Sequence, residues 1–263
     1  MPFLTTLHTT MYYDFFGPDI TQADASMTPD TVLLVHGFAG TPASDFAPHL
    51  SALTQHYSVL APHLHGYGLS SHRESYPVSY YREDVADLIA LLDALHLSQV
   101  LVLGFSDGAI VSLLLAALHP ERVKALAVLG AQPVINGENV AAIRHWLLET
   151  PLSAQWQQEL AMLHGEPYWR GLPAMYVKAQ EDLVAAGDML LTDEELAAIR
   201  CPTLIMHGVR DRIVPVAYAH SLHQSIAHSQ LLLFDAGHPA HLRHPEQYQD
   251  AVLQFFGSPS VQM

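Results

Sequence analysis

One serine stands in a sequence context that suits nucleophilic chemistry. Ser106 lies in GFSDG, which fits the pattern G-x-S-x-G. It ends the apolar run Val100 to Ser106 and comes just before the apolar segment Gly108 to His119. A serine at a sharp turn from strand to helix exposes its Oγ, and the N-terminus of the following helix favours developing negative charge. The alternative is an ordinary glycine-rich turn. The context predicts that Ser106 attacks a carbonyl group.

A serine hydroxyl needs a general base, and histidine is the usual one. The chain has 18 histidines. His238 follows the last predicted strand on a loop with Gly237 and Pro239, where its side chain can reach over the edge of the sheet. His241 falls one helical turn beyond it, and His244 precedes a helix-opening proline. We therefore prefer His238 to these two neighbours.

The base must itself be oriented by a buried carboxylate. Asp211 lies in TLIMHGVRDRIVP, after a predicted strand and before the turn at Pro215. Asp235 is the nearby alternative, but it comes too close to the end of its strand and is expected to face solvent or to cap a turn. Asp211 is thus the predicted partner of His238.

The oxyanion of a tetrahedral intermediate needs backbone N–H donors. The residue after the nucleophile, Asp107, supplies one, and the loop HGFAGT supplies the other, predicted at Phe38. His36 opens this loop beside a strand-terminal glycine. It is interpreted as a hydrogen-bonded structural histidine rather than as a second base.

Apolar runs alternate with helical patterns along the chain, which is typical of a parallel sheet covered on both faces. The predicted strands are Thr31 to Gly37, Tyr57 to Pro62, Val100 to Ser106, Val123 to Gly130, Thr203 to Gly208 and Gln230 to Asp235. The predicted helices are Tyr81 to His96, Gly108 to His119 and His244 to Phe256.

The segment 134–198 breaks this alternation. It has helical patches interrupted by proline and glycine, and it contains all three tryptophans. We predict a helical cap at 134–198 and a core domain formed by 1–133 and 199–263. The cap side chains predicted to line a substrate pocket are Trp146, Trp156, Met162, Tyr168 and Trp169. The alternative is that the aromatic residues only pack the cap against the core.

The composition excludes several classes of protein. The chain has 263 residues with a formal net charge of −15, so a phosphate-binding surface and a nucleic acid partner are not expected. No apolar stretch reaches the roughly 20 residues that span a bilayer. The single cysteine, Cys201, cannot form an internal disulfide, and the N-terminus lacks the pattern of a signal peptide. We predict a cytoplasmic protein with no membrane partner, and the oligomeric state stays open.

Taken together, these motifs resemble the α/β-hydrolase superfamily in its cap-bearing branch. YYDFFGP resembles the early hairpin, HGFAGT the oxyanion loop, APHLHGYGLS the glycine-rich turn, GFSDG the nucleophile turn, GVRDRIVP the acid loop and AGHPAHLRHPEQY the histidine loop. The order Ser106, Asp211, His238 also matches the family. The resemblance implies a mostly parallel sheet of about eight strands with helices on both faces, a cap, no metal and no organic cofactor. One departure is His63, Leu64 and His65, where many relatives have Asp then Arg before the glycine-rich turn.

A second departure is Asp107, because many relatives have an apolar, Met or Gln-like residue there. GFSDG is similar to the turn of valacyclovirase-like and other amino-acid ester hydrolases, so Asp107 could attract an amine. The alternative is that its carboxylate only complements the dipole of the following helix.

The leading prediction is a serine hydrolase that cleaves a carboxylic ester of a small to medium, largely apolar substrate. Hydrolysis of a C–C bond, lactone opening, peptide or amino-acid ester cleavage and cofactor-free perhydrolysis use a similar set of residues, and the fold does not separate them. Dehalogenation and epoxide hydrolysis are disfavoured, because both want a carboxylate nucleophile where this chain has Ser106. A non-catalytic ligand receptor is the alternative from another class.

Overall fold

The computed structural model describes residues 2–17, 30–187 and 189–262. Its framework is an eight-stranded sheet with the strand order β1-β2-β4-β3-β5-β6-β7-β8. The strands are β1 (Phe3–Thr5), β2 (Thr10–Phe16), β3 (Thr31–Val35), β4 (Ser58–Pro62), β5 (Val100–Phe105), β6 (Val123–Leu129), β7 (Thr203–Gly208) and β8 (Ser229–Phe234). The first two strands join antiparallel and the others pair in parallel.

Helices lie on both faces of this sheet. They are α1 (Pro42–Leu53), α2 (Tyr80–Ala94), α3 (Asp107–Leu118), α4 (Gly137–Arg144), α5 (Ala154–His164), α6 (Leu172–Ala186), α7 (Asp193–Ala198), α8 (Ala217–Ser225), α9 (Ala240–Arg243), α10 (Pro245–Phe256) and α11 (Pro259–Gln262). Short 3₁₀ turns cover Pro120–Arg122 and Tyr168–Arg170, and His145–Glu149 forms a π-helical turn. The predicted fold class is confirmed.

The central strands are mostly apolar because both of their faces are covered. Alternate residues of β3 enter different cores: Leu33 and Val35 pack with α2 and α3, whereas Val32 and Leu34 pack with α1 and α10. All five residues of β3 are buried. This follows from the two-residue period of a strand, since successive side chains point to opposite faces.

The segment between β6 and β7 is helical. We call residues 134–198 the insertion; they contain α4 to α7, and their one described strand-like contact is an isolated bridge between Val134 and Met189. Buried side chains of the insertion, among them Trp169, Tyr176 and Leu183, join the core that also contains α2 and α3. The division into a core domain and a cap at these boundaries stays a prediction.

Candidate active site

Ser106 lies on a strained turn between β5 and α3. Its φ of 54° and ψ of −121° are rare for a residue with a side chain, and its N–H donates to the carbonyl of Leu129 at 2.9 Å. Two glycines make this turn possible. A Cβ on Gly108 would lie 2.1 Å from the carbonyl oxygen of Val35, and one on Gly104 would lie 2.4 Å from Ser112 Oγ. The close packing of β3, β5 and α3 thus holds Ser106 at the tip of the turn.

The side chains of Ser106, His238 and Asp211 form a continuous hydrogen-bonded chain. His238 Nε2 lies 2.8 Å from Ser106 Oγ, and His238 Nδ1 lies 2.6 Å from Asp211 Oδ2. The loop after β7 supplies Asp211, and the loop after β8 supplies His238. The carboxyl ends of parallel strands meet at one edge of the sheet, so three residues distant in sequence come together there.

The Asp211 carboxylate is buried and satisfied. Its Oδ1 accepts the N–H groups of Ile213 and Val214, both at 2.9 Å. Burial acts to raise the pKa of Asp211. Hydrogen bonds from His207, His238 and the Val214 N–H, together with the charge of His238, outweigh burial and hold that pKa below its usual value. The group is therefore ionised at neutral pH and can stabilise a proton on His238.

His207 was not anticipated from the sequence. It stands near the end of β7, fully buried, with Nε2 2.8 Å from the carbonyl oxygen of Val214 and 3.4 Å from Asp211 Oδ2. It braces the loop that carries Asp211. The sequence signal that could have identified His207 is its position near the end of a predicted strand, just before the predicted acid Asp211.

The alternative residues lie elsewhere. His241 is buried with its ring against Phe105, and His244 Nε2 lies 3.2 Å from the carbonyl oxygen of Asp235. The Asp235 carboxylate is 76% exposed and pairs with Arg210. None of these three side chains has a described hydrogen bond to Ser106.

His36 is a structural histidine, as interpreted from the sequence. Its Nδ1 lies 2.8 Å from the carbonyl oxygen of Gly37, and its Nε2 accepts the N–H of Leu64 at 2.9 Å. Burial lowers the pKa of His36 to about 3, so the ring stays neutral.

The loop from His36 to Thr41 passes beside the nucleophile. A Cβ on Gly37 would lie 3.1 Å from Ser106 Cβ. Asp107 opens α3, so its N–H points out of the helix N-terminus. Among the described residues, neither the Phe38 N–H nor the Asp107 N–H donates to a protein acceptor. Both remain the predicted oxyanion donors.

The Asp107 carboxylate is turned toward two tyrosines. Its Oδ1 accepts the hydroxyl groups of Tyr81 at 3.0 Å and Tyr176 at 2.7 Å, while Oδ2 is buried and has no partner among the described residues. Burial raises the pKa of Asp107 to about 6, against the opposing effect of the two hydroxyl groups. The sequence did not suggest that Asp107 accepts a hydrogen bond from a tyrosine of the insertion.

A cavity of about 320 Å³ opens above Ser106 and His238 between the sheet edge and the insertion. Its lining is mostly apolar, with two acidic side chains. It comprises Phe38, Ala39, Gly40, Ser44, Asp45, Phe105, Ser106, Ile143, Trp146, Trp156, Glu159, Leu163, Tyr176, Ile213, His238, Pro239 and Leu242.

Two of the five predicted pocket residues line this cavity. The rings of Trp146 and Trp156 stack there at 5.3 Å. The prediction is corrected for the other three. Met162 is 71% exposed, Tyr168 stacks on His72 at 3.7 Å, and Trp169 is buried in the core. The rotation of each helix of the insertion about its own axis decides which of its residues face the cavity. The amino-acid composition of the insertion does not reveal that rotation.

Comparison with known proteins places this architecture in a family. Residues 30–173 match the model of the alpha/beta hydrolase fold, which is more than half of the chain. The chain belongs to the α/β-hydrolase family. The resemblance drawn from the motifs is thereby confirmed.

Relatives of this α/β hydrolase are themselves named as hydrolases. The mouse serine hydrolase BPHL is 29% identical over 227 residues, which cover 85% of this chain and 78% of that protein. The 2-hydroxymuconate semialdehyde hydrolase of Pseudomonas putida is 29% identical over 246 residues, covering 85% of each chain. An esterase from Exiguobacterium antarcticum superposes with a TM-score of 0.77 at 22% identity, covering 97% of this chain and 99% of that one. The protein is thus a hydrolase of the α/β family.

Two further features were searched in the described ranges 2–17, 30–187 and 189–262. No helix there combines the length and apolar character needed to cross a bilayer. No group of three or more His, Cys, Asp or Glu side chains there is arranged to hold a metal ion. The cytoplasmic location stays a prediction.

Proposed function

We propose that this α/β hydrolase cleaves a carboxylic ester through an acyl-enzyme on Ser106. The observation that carries the proposal is the hydrogen-bonded chain from Ser106 Oγ through His238 to Asp211, at 2.8 and 2.6 Å. These are the contacts that a serine nucleophile, its general base and the orienting carboxylate require.

In the proposed reaction, each of these residues has one role. Ser106 Oγ attacks the ester carbonyl carbon while its proton passes to His238 Nε2, and the ionised Asp211 stabilises the imidazolium. The N–H groups of Phe38 and Asp107 donate to the oxyanion of the tetrahedral intermediate. Its collapse breaks the ester C–O bond, and the leaving alkoxide takes the proton from His238. Water activated by His238 hydrolyses the acyl-enzyme and releases the acid.

The cavity favours a small to medium, largely apolar substrate. Its volume of about 320 Å³ is at the lower end of the range for small-molecule sites. Aromatic and aliphatic side chains such as Trp146, Trp156 and Phe105 supply most of the lining. Such walls bury an alkyl or aryl group through the hydrophobic effect.

The test is hydrolysis of a p-nitrophenyl ester series, from acetate upward, by the wild-type protein and by Ser106→Ala. The proposal expects activity on short to medium esters and a loss of several orders of magnitude in the variant. Equal rates for the two proteins on every ester would overturn it. The chain length with the highest kcat/KM would then measure the acyl pocket.

A second candidate is another reaction of the same residues. One relative is named as a hydrolase of 2-hydroxymuconate semialdehyde, which is not an ester. C–C bond hydrolysis, lactone opening, amide cleavage and perhydrolysis would each use Ser106 and His238. Turnover of a vinylogous diketone or a lactone at rates well above those of any simple ester would favour this candidate. A receptor without catalysis would show ligand-dependent stabilisation and no turnover of any of these compounds.

A further inference from the structure

The loop that carries Phe38 is anchored by a carboxylate of α1. Asp45, in the first turns of α1, accepts the N–H of Gly37 at 2.8 Å through Oδ2, and its Oδ1 accepts the Ser44 hydroxyl at 3.0 Å. The loop folds closely around this carboxylate, because a Cβ on Gly40 would lie 2.7 Å from Asp45 Oδ2. The residue before Phe38 therefore has a fixed partner in the core.

The residue after Phe38 is anchored by the insertion. His164 is the last residue of α5 and is only 2% exposed. Its Nε2 lies 2.9 Å from the carbonyl oxygen of Ala39, and its Nδ1 lies 2.9 Å from the N–H of Gly68. An N–H can only donate, so Nδ1 accepts and Nε2 carries the proton that is donated to Ala39. The buried ring thus bridges two core loops in a single tautomer.

Phe38 itself also contacts the insertion. Its ring stacks on Tyr176 of α6 at 3.8 Å, with 24° between the ring planes, and the Tyr176 hydroxyl donates to Asp107. Ala39 has a φ of 56°, a left-handed conformation that a residue with a side chain adopts only when its surroundings hold it there. The insertion therefore contacts both proposed oxyanion residues and restrains Ala39, the strained residue between Phe38 and Gly40.

We propose that His164 is a positioning residue for catalysis: by donating to the Ala39 carbonyl, it restrains the loop directly after Phe38 and so helps to hold the Phe38 N–H toward the oxyanion. The inference rests on the proposed function and assigns to the insertion a part in building the oxyanion hole. It follows that the hole is complete only while α5 is docked on the loop. A substrate bound under a displaced insertion would have the nucleophile and base in place but only part of its oxyanion stabilisation.

The experiment compares three variants in the full chain. His164→Leu removes both hydrogen bonds at similar volume. His164→Gln keeps a donor and an acceptor on one amide, so it can rebuild both contacts. Gln180→Met is the matched control, because Gln180 is also a buried residue of the insertion that donates to the core, at Tyr80, but does not contact the oxyanion loop. The measurements are kcat and KM on the best p-nitrophenyl ester, inhibition by phenylboronic acid and the Tm.

We expect His164→Leu to lower kcat on the order of 10- to 100-fold, since a displaced oxyanion donor costs transition-state stabilisation. KM should change less than about threefold, because ground-state contacts remain. Inhibition by the boronic acid, whose adduct on Ser106 carries the oxyanion, should weaken in parallel with kcat. His164→Gln should recover most of the loss, and Gln180→Met should keep kcat within about twofold.

Two results would overturn the inference while leaving the proposed function intact. One is an unchanged kcat in His164→Leu when the wild-type protein is active and Ser106→Ala is not. The other is an equal fall of kcat in His164→Leu and Gln180→Met that follows their Tm values, which would mean a purely structural role. Failure of the proposed function is seen separately, as equal activity of the wild-type protein and Ser106→Ala.

Discussion

The Tyr176 hydroxyl donates to Asp107 Oδ1 at 2.7 Å, so the carboxylate that follows the nucleophile is held by a residue of the insertion. The same oxygen accepts the Tyr81 hydroxyl from α2. Asp107 is 8% exposed and is not part of the cavity lining described above. This arrangement bears on whether Asp107 recognises an amine in the substrate.

The first prediction concerns whether Asp107 recognises an amine of the substrate. We expect Asp107→Ala to leave the ratio of kcat/KM for an amino-acid ester to that for a neutral ester of the same size unchanged within about twofold. The reason is that the Tyr81 and Tyr176 hydroxyl groups both donate to Asp107 Oδ1, and Asp107 is not among the residues that line the cavity. The absolute rates can fall in both cases.

A selective loss of about tenfold or more on the amino-acid ester would restore the amine-recognition hypothesis. Glu159 is the informative comparison, because it does line the cavity and is also acidic. If Glu159→Gln lowers the ratio and Asp107→Ala does not, any preference for a cation comes from the cavity wall.

The second prediction concerns the acid of the proposed catalytic chain. Asp211→Asn should lower kcat by on the order of 10⁴-fold, because the amide cannot stabilise a cationic His238 and can hold the wrong tautomer. Asp235→Asn is the control, since that carboxylate is 76% exposed and pairs only with Arg210 among the described residues. A comparable activity of the two variants on the best ester would exclude Asp211 from the mechanism.

The third prediction separates the insertion residues that line the cavity from those that do not. Trp146→Ala enlarges the cavity and should shift the best acyl chain length upward, whereas Met162→Ala should leave it unchanged because Met162 is 71% exposed. The measurement is kcat/KM across the p-nitrophenyl series. An equal shift in both variants would place Met162 in the pocket after all.

The fourth prediction follows from buried histidines. Burial lowers the pKa of five histidine rings from 6.5 to between about 3 and about 4: His36, His49, His63, His65 and His241. Their unfolded pKa is the higher one, so below pH 6.5 the unfolded chain binds protons that the folded chain does not. The free energy of unfolding should therefore fall as the pH drops from 6.5 toward 4. Each ring contributes about 1.4 kcal/mol per pH unit in that window.

Buried carboxyl groups offset part of this loss. Burial raises the pKa of Asp45 and Asp107 to about 6 and that of Asp84 to about 7, so the folded chain takes up protons there first and gains stability as the pH falls toward 3.8. Comparing the pH dependence of the unfolding free energy between a histidine variant and a control variant isolates the contribution of one histidine from that of these carboxyl groups. Neither ring nitrogen of His241 has a hydrogen bond of normal geometry among the described residues, and the ring faces the backbone of Asp45, so His241→Leu removes mainly a titratable ring.

We expect His241→Leu to reduce the slope of unfolding free energy against pH by about 1.4 kcal/mol per pH unit between pH 6 and 4. The measurement is urea denaturation at several pH values. His145→Leu is the control, since its ring is 71% exposed. A parallel pH dependence of the two variants would contradict the assignment of the acid sensitivity to buried rings.

Much of the site follows from short-range rules. The turn at Ser106 requires small neighbours in sequence, and the loops of Asp211 and His238 come directly after their strands, so local patterns were enough to predict that these residues share a site. The parallel strands could be predicted in the same way, because buried parallel strands are nearly continuous apolar runs. Helices α1 and α8 were not predicted. Helix α1 contains Pro42 and Pro48, and proline in a sequence usually marks a turn or a break.

The rest of the candidate site depends on contacts between residues that are distant in sequence. His164 lies 125 positions from Ala39, and Tyr176 lies 69 positions from Asp107, so no local pattern joins either pair. The abundance of histidine had no explanation in the sequence. In the structure, His36, His164 and His207 each link loops around the sheet edge through ring nitrogens and backbone groups.

All three tryptophans lie in the insertion, and two of them stack over the cavity. Excitation at the red edge of the ultraviolet absorption band therefore observes the insertion alone, while far-ultraviolet circular dichroism observes the whole chain. The protein thus contains its own optical probe of this segment. Coincident melting curves from the two signals would mean that sheet and insertion unfold as one unit, and an earlier fluorescence transition would mean that the insertion opens over an intact sheet.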